Sequence, residues 1–165
     1  EGAQTDRFLS ELREHPPELA QIDEVDSREL AAANTPDFRI LESAEEDDPF
    51  ALVPPDIGTC AECYADFTTP GNRRHRYPFT NCTNCGPRYT IIRDVPYDRP
   101  LTTMAAFPMC EACRAEYSDP ADRRFHAQPN ACPVCGPWLE LWSDRELLFT
   151  RDEALRETQR LLSAG

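Results

Sequence analysis

Eight cysteines carry the chemistry of this 165-residue chain, and they fall into four C-x2-C pairs. The pairs form one unit written twice, because each cysteine of the first set recurs fifty residues later in the second. The two sets are Cys60, Cys63, Cys82 and Cys85, and then Cys110, Cys113, Cys132 and Cys135. Two thiolate pairs separated by a loop can close a tetrahedral zinc site. The sequence therefore predicts two structural Zn²⁺ ions, with all eight cysteines as metal ligands.

The spacing leaves open which cysteines share an ion. A duplicated unit should once have closed on its own metal, which favours one ion per repeat. A crossed arrangement would instead join the two outermost pairs on one ion and the two inner pairs on the other. In either case four thiolates leave no open coordination position, which indicates a structural site rather than a catalytic one. Redox-active C-x2-C pairs and a secreted disulfide framework are the competing interpretations.

Residues beside the cysteines repeat as well. A glycine follows the last cysteine of each unit, at Gly86 and Gly136, where a positive φ would let backbone amides turn toward sulfur. Two Arg-Arg pairs occupy matching positions, 73–74 and 123–124. Two four-thiolate zinc groups would add a charge of about −4. The arginines are expected either to compensate that charge or to form solvated pairs.

No catalytic residue is apparent in the chain. His75 and His126 lie at different repeat offsets, so we interpret them as packing or surface histidines rather than ligands. The sequence contains no Ser-His-Asp set, phosphate-binding glycine loop or nucleophile elbow. No residue is therefore assigned to catalysis or to an organic cofactor.

Charge is spread unevenly along the chain, whose formal net charge is −13. Residues 1–59 carry sixteen acidic and four basic side chains, whereas residues 60–136 carry eight acidic side chains and nine arginines. General nucleic-acid binding needs clustered positive charge, so this balance argues against a nucleic-acid partner. No apolar run reaches the roughly twenty residues that span a membrane, and no membrane partner is expected. Paired cysteines without a secretory signal favour the reducing cytoplasm.

Little regular structure is expected around the cysteines, because sixteen prolines make up about a tenth of the chain. Apolar spacing predicts a helix over residues 5–14 that ends before a double proline. Further elements are predicted as strands over 20–26, 38–41, 89–93 and 138–142, a short helix or turn over 100–107, and a helix that a Thr150-x-x-Glu153 capping box opens and that runs through Leu162. The fold class is a small zinc-stabilised α+β fold with two tandem four-cysteine zinc-finger subdomains.

The residues around the cysteines resemble a known family. The first repeat contains N-R-R-H-R-Y-P-F-T-N-C-T-N-C-G-P-R-Y-T-I-I, and the second contains D-R-R-F-H-A-Q-P-N-A-C-P-V-C-G-P. Together with the cysteine spacing, these segments resemble the HypF family over Cys60 to Pro137. The family comprises the carbamoyltransferases of nickel–iron hydrogenase maturation. In the flanks, residues 8–12, 16–22 and 38–40 look like the last helix and strands of an acylphosphatase-like (ferredoxin-like) domain, of which this chain would hold a part.

The resemblance implies a function for a longer parent protein. Members hydrolyse carbamoyl phosphate, activate the carbamate with ATP at a YrdC-like domain, and pass the carbamoyl group to the C-terminal cysteine of the partner HypE. That group becomes a cyanide ligand of the hydrogenase iron. The acylphosphatase phosphate loop and the nucleotide sites belong to segments absent from this chain. The parent is thus expected to be an enzyme and this segment alone is not.

The same resemblance predicts the domain organisation. The chain begins at Glu1 and ends in a helix whose apolar side has nothing to pack on, so we expect a piece of a longer protein. The predicted order is 1–43 C-terminal part of an acylphosphatase-like domain, 44–58 acidic linker, 59–87 first zinc finger, 88–108 inter-finger connector, 109–137 second zinc finger, and 138–165 connector and first helix of a YrdC-like domain. The alternative function is a zinc-finger module that docks a protein partner, as chaperone zinc domains do, without a catalytic link.

Overall fold

The computed structural model describes residues 2–16, 20–29 and 55–165. The chain divides into two compact units, residues 1–49 and residues 50–165. Among the described residues, no helix combines the length and the apolar character needed to cross a membrane. The cysteine repeats lie wholly in the second unit.

The first unit contains helix α1, Gly2–Glu14. The predicted helix over residues 5–14 is confirmed, and the observed helix begins three residues earlier. Leu9 and Leu12 are half-buried, whereas Phe8, predicted to lie on the same face, is 64% exposed. The helix ends just before the double proline, whose rings cannot continue it.

The predicted strand over residues 20–26 is wrong. The described residues 20–29 form neither helix nor strand. Ile22 and Val25 are both half-buried, but a spacing of three is not the alternation of a strand, and no described segment pairs with them. The predicted strand over 38–41 and most of the predicted linker over 44–58 lie outside the described residues.

Each cysteine repeat begins with a two-turn helix that carries its second cysteine. Helix α2 spans Ala61–Thr68 and helix α3 spans Glu111–Ser118. The first cysteine of each repeat, Cys60 or Cys110, has the extended backbone of an N-cap residue. In α2 the Cys60 sulfur accepts a hydrogen bond from the amide of Cys63 at 3.5 Å. The x2 spacing thereby places both sulfurs at a helix N-terminus, where the helix dipole favours a thiolate.

The loop after each finger helix repeats its backbone geometry. The Arg76 amide donates to the Phe67 carbonyl at 2.7 Å, and the His126 amide donates to the Tyr117 carbonyl at 3.0 Å. Arg76 and His126 occupy the same repeat position, and both hold a positive φ, 62° and 49°. The duplication therefore extends to a left-handed backbone conformation that few non-glycine residues adopt.

Residues 88–108 form short helices rather than a strand. Three 3₁₀ helices span Tyr89–Ile91, Arg99–Leu101 and Thr103–Ala106. The predicted strand over 89–93 is wrong, because Ile92 makes an isolated β-bridge to Thr102 without a continuing ladder. The predicted helix or turn over 100–107 is confirmed.

A small apolar core lies where this connector meets both repeats. Tyr77 of the first repeat, Met104 of the connector and Ala131 of the second repeat are buried and form one cluster. Ile91 and Phe107 pack against it. A second buried cluster among the described residues consists of cysteines of the first repeat. The connector is therefore an integral part of the unit that holds the fingers together.

A β-hairpin and a helix complete the second unit. Strands β1, Glu140–Ser143, and β2, Glu146–Thr150, pair in antiparallel register, and helix α4, Arg151–Ala164, packs against both. The predicted strand over 138–142 is confirmed for its second half, and half-buried leucines alternate there with exposed tryptophans as expected. Strand β2 was not predicted, although it completes the hairpin.

Helix α4 begins where the capping box predicts, but the capping hydrogen bond is not made. Thr150 is the N-cap residue, and its side chain makes no cap hydrogen bond. Arg151 instead adopts a φ of 56°, and its amide donates to the Leu139 carbonyl at 2.8 Å. The preceding hairpin thus fixes the start of this helix. The helix reaches Ala164, two residues beyond the predicted end.

Replacing Gly136 by alanine should destabilise the second unit. A Cβ at Gly136 would lie 2.1 Å from the Tyr77 hydroxyl oxygen and 2.6 Å from the Ala131 Cβ, and neither neighbour can move freely. Overpacking of this kind costs about 1–3 kcal/mol. Thermal unfolding followed by circular dichroism measures the change. Gly58→Ala is the control, because a Cβ there meets nothing within 4 Å. An unchanged Tm for Gly136→Ala would contradict the close approach.

Candidate metal centre

The sulfur atoms of the eight cysteines gather into two groups of four, one in each repeat. The first group is Cys60, Cys63, Cys82 and Cys85, and the second is Cys110, Cys113, Cys132 and Cys135. Within each group the Sγ atoms all lie within 4.8 Å of one another. In each group the finger helix supplies one pair of sulfurs, and a turn after the loop supplies the other. All eight residues predicted as ligands are therefore brought together, four by four.

The sulfur–sulfur distances fit a tetrahedron around a single zinc ion. A Zn–S bond of about 2.3 Å gives a tetrahedral edge of about 3.8 Å. Two edges of the first group measure 3.6 and 3.9 Å, three edges of the second measure 3.6 to 3.8 Å, and no sulfur pair within a group is farther apart than 4.8 Å. None of these cysteines is in a disulfide. The donor set and its spacing thus suit a closed four-thiolate zinc site.

The grouping follows the repeats. The sequence left two arrangements open, and the structure has the sequential one, in which each repeat encloses its own four sulfurs. The crossed arrangement would require the outermost pairs to meet, and they do not. Burial is deepest in the first group, where three of the four cysteines are buried; in the second group two are buried and two are half-buried.

Hydrogen bonds favour a thiolate in each group. The Cys63 side chain hydrogen-bonds to Cys82 and lowers the pKa of that thiol to about 4. Burial alone would raise the pKa of Cys132, but backbone amides of its own knuckle and the Arg73 guanidinium outweigh burial and lower this pKa to about 6. The thiolate is the form that binds zinc, and each group thus holds one cysteine favoured in that form. Other ligands shift the other way: the hydrogen bond with Cys82 raises the pKa of Cys63, and burial raises the pKa of Cys113.

The two Arg-Arg pairs contact cysteines, and each pair contacts the opposite repeat. Arg73 Nη2 lies 3.0 Å from the Sγ of Cys113. Arg123 Nη1 lies 2.9 Å from the Sγ of Cys63. Of the two roles predicted for these pairs, that of solvated pairs is wrong, and the contacts with sulfur are the ones that charge compensation requires. That these contacts cross between repeats was not predicted.

Arg74 and Arg124 are the buried members of the pairs, at 2% and 5% exposure. Each donates from Nε to a backbone carbonyl of the opposite repeat, Arg74 to Ala131 at 2.9 Å and Arg124 to Asn81 at 3.1 Å. Their Nη2 atoms lie 3.6 and 3.8 Å from the same sulfurs that their neighbours contact. Because the two carbonyls also occupy matching repeat positions, the exchange has approximate twofold symmetry.

A carboxylate on each finger helix completes this exchange. Glu116 of α3 binds the arginine pair of the first repeat, and Asp66 of α2 binds the pair of the second. Burial alone would raise the pKa of Glu116, but Arg74 and Arg73 outweigh it and lower this pKa to about 2. Burial would likewise raise the pKa of Asp66, but Arg124 and Arg123 outweigh it and lower this pKa. Sequence analysis missed both acids, although each follows the second cysteine of its repeat by three positions.

The second group has an additional partner without a repeat counterpart. Asn130 is fully buried, donates to the Cys113 carbonyl at 2.9 Å and accepts from Arg74 Nη2 at 2.9 Å. The residue fifty positions earlier is Thr80, which bonds instead to the Tyr77 carbonyl. Repeat alignment therefore cannot reveal Asn130, and its role follows only from the fold.

The two glycines after the last cysteines differ. Gly86 has a φ of 70°, as predicted. The prediction of a positive φ is wrong for Gly136, whose missing Cβ instead makes room for Tyr77. The glycine amides also do not turn toward sulfur, because they donate to the carbonyls of Thr83 and Cys132 at 2.9 and 2.8 Å. The same residue type thus serves backbone conformation in one repeat and packing in the other.

The histidines lie outside both sulfur groups. His126 packs between Tyr117 and Phe125, with ring centroids 4.7 and 4.6 Å apart. His75 is half-buried and borders a cavity of about 420 Å³ that Trp138 also lines. Among the described residues, the groups able to hold a metal consist of cysteines alone.

Comparison with known proteins agrees with the paired sulfur groups. Residues 59–92 and 109–142 each match the family described as HypF finger. The probable carbamoyltransferase HypF of Methanocaldococcus jannaschii is 46% identical over 169 aligned residues, which take in 100% of this chain and 22% of that protein. The carbamoyltransferase HypF of Rhodobacter capsulatus is 50% identical over 103 residues, 62% of this chain and 14% of that protein.

Solved structures show the same similarity. A full-length HypF, crystallised in a phosphate- and nucleotide-bound form, matches 99% of this chain with a TM-score of 0.81 and 43% identity. HypF from T. kodakarensis matches 97% of the chain with a TM-score of 0.75 and 41% identity. The chain spans only about a fifth of either structure, 21% and 20%.

Neutralising Glu116 should destabilise the second unit strongly. Glu116→Gln leaves the buried Arg74 guanidinium, and the more exposed one of Arg73, without their carboxylate, and breaking a buried ion pair costs about 3 kcal/mol. Urea unfolding of the metal-loaded protein measures the loss. Glu111→Gln, an exposed position on the same helix, is the matched control and should cost less than about 1 kcal/mol. Equal effects of the two substitutions would show that the Glu116 ion pairs contribute nothing specific.

Proposed function

Residues 59–92 and 109–142 belong to the HypF finger family, and from that premise we propose that the chain is the structural zinc module of a HypF-type carbamoyltransferase. The observation that carries the proposal is the pair of closed four-sulfur groups with tetrahedral edges. Four thiolates occupy every position around a tetrahedral ion, so such a site holds structure and performs no chemistry.

In this proposal two Zn²⁺ ions are bound by all eight cysteines, four in each repeat. Zinc would bind sulfurs of both the finger helix and the later turn, and so hold these two segments together. Binding to a structural site of this kind is worth about 10–16 kcal/mol at neutral pH. The buried cluster of the first repeat consists of its own cysteines, so the metal-free repeats should lose most of their order.

The flanking segments are proposed to come from neighbouring domains of the parent protein. Residues 1–43 would be the C-terminal part of an acylphosphatase-like domain, followed by an acidic linker over 44–58. The fingers would occupy 59–87 and 109–137 around the 88–108 connector, and residues 138–165 would lead into a YrdC-like domain. The likeness of nearly the whole chain to about a fifth of each of two HypF crystal structures supports this order.

The activity of the parent is part of the proposal. The relatives are named carbamoyltransferases. A parent of the HypF type would use carbamoyl phosphate and ATP in the cytoplasm and carbamoylate the C-terminal cysteine of HypE. The chain itself contributes no residue to that chemistry in this proposal. Its role is to space and orient the neighbouring active sites.

A protein-docking role is the second candidate, and an exposed apolar residue favours it. Val134 is 82% exposed and stands at the tip of the last knuckle, between two cysteines. Single exposed apolar side chains are common on protein surfaces, so Val134 makes this tip accessible to a partner without forming a docking patch by itself. In this candidate the fingers themselves would bind HypE or another acceptor.

Metal analysis of the chain, purified without added metal, should find two zinc ions per chain and no reactive thiols. A strong chelator should then release both ions, expose eight thiols and abolish most of the finger structure seen by circular dichroism. Cys82→Ser should lower the zinc content, whereas His75→Ala and His126→Ala should leave it at two. Disulfides without metal would contradict the proposal.

A binding assay separates the two candidate roles. If the module only spaces the active sites, immobilised HypE should capture the full-length parent but not this chain alone. The matched variant is Val134→Asp, which should leave capture of the parent unchanged. Capture of the isolated, zinc-loaded chain, and loss of that capture with Val134→Asp, would establish docking by the fingers instead.

A further inference from the structure

Each sulfur group is contacted by two arginines of the other repeat. Cys63 and Cys113 are fully buried, and each accepts contacts from both arginines of the opposite repeat, at 2.9 and 3.8 Å and at 3.0 and 3.6 Å. These two cysteines occupy the same repeat position. The arrangement is therefore reciprocal, and both halves of it involve the cysteine on the finger helix.

Such contacts act directly on a metal site. Four thiolates around Zn²⁺ carry a net charge of −2, and a guanidinium within hydrogen-bonding distance of a coordinated sulfur stabilises that charge. Hydrogen bonds to metal ligands hold them in place, and their loss typically lowers metal affinity about 10- to 100-fold. The arginine pairs are thus positioned to strengthen zinc binding in the opposite finger.

The position of each arginine pair depends on its own finger. The Arg74 amide donates to the Asn72 side chain at 2.9 Å, and the Arg124 amide donates to the Asp122 side chain at 2.7 Å. Asn72 is held in turn by Asp66 of its own finger helix at 2.9 Å. The loops that present the arginines lie between the two cysteine pairs of their own repeat. Closing a repeat on its metal therefore also fixes the arginines that reach across.

We propose that the two metal sites are coupled through these crossed arginines, so that zinc bound in one finger raises the zinc affinity of the other. Metal in the first repeat orders the 73–74 pair, which stabilises the thiolates around Cys113. Metal in the second repeat orders the 123–124 pair, which stabilises those around Cys63. The inference rests on the proposed function, since it requires that both groups bind zinc. By linkage, the coupling factor must be the same in both directions.

Site-resolved thiol labelling tests the direction of these contacts. Zinc-loaded protein is mixed with a chelator and an alkylating reagent, and peptide mass spectrometry follows the labelling rate of each cysteine. Arg73→Gln should speed labelling of the second-repeat cysteines about tenfold or more relative to those of its own repeat. Arg123→Gln should do the reverse. Arg73 is 34% exposed, so this substitution perturbs the fold less than one at the buried Arg74.

Two matched variants define the outcomes. Arg114→Gln removes an exposed guanidinium of α3, and its cysteines should be labelled at the same rate as those of the unmutated chain. Arg73→Lys keeps the charge but loses the planar guanidinium. Its second-repeat cysteines should be labelled at a rate between those of the unmutated chain and of Arg73→Gln. Faster labelling of the mutated finger's own cysteines than of the opposite set, or no change in either set, would overturn the crossed coupling.

The strength of the coupling is measured with one site disabled. Cys82→Ser with Cys85→Ser removes the first site, and Cys132→Ser with Cys135→Ser removes the second. Competition with a chromophoric chelator should show the remaining site weakened by the same factor in both variants, about tenfold or more. An unchanged affinity, with two zinc ions still bound to each unmutated chain, would overturn the coupling alone. Absence of zinc from the unmutated chain would instead overturn the proposed function.

Discussion

The constraint on which the whole second unit depends is that its fingers have almost no apolar interior of their own. The buried cluster of the first repeat consists of Cys63, Cys82 and Cys85, and the small core of Tyr77, Met104 and Ala131 lies at the junction with the connector. A domain this short of apolar burial needs a covalent or metal staple. Four sulfurs at tetrahedral spacing supply the donors for one in each repeat.

Eight thiolates around two zinc ions would carry a charge of about −4, and the arginine pairs lie where they would offset it. Each pair reaches the opposite finger, where it meets a sulfur, a backbone carbonyl and the helix carboxylate Glu116 or Asp66. Because these contacts are exchanged rather than kept within a repeat, neither finger is complete alone. The two fingers and their connector are therefore joined as one block, as the proposed spacer role requires.

The cysteine sites were predictable from the sequence because their information is local. A C-x2-C pair at a helix N-terminus and a second pair after a loop fix the donors and their spacing, whatever surrounds them. The fifty-residue period likewise predicted one group per repeat as the favoured arrangement. Half of β1 followed from its local alternation in the same way. Helix α4 begins at the predicted residue but without the predicted cap bond, because the hairpin fixes its start.

What the sequence could not show depends on contacts across the repeats. Glu116 and Asp66 have the right period but gain their meaning only from arginines of the other finger. Gly136 was misjudged because its requirement comes from Tyr77, about sixty positions away. The predicted strand over 89–93 failed since Ile92 finds a single bridge partner rather than a sheet edge. X-ray absorption at the zinc edge is the most direct test of the central claim: the account predicts four sulfur neighbours at about 2.3 Å around every zinc ion, and a nitrogen or oxygen ligand at either site would contradict it.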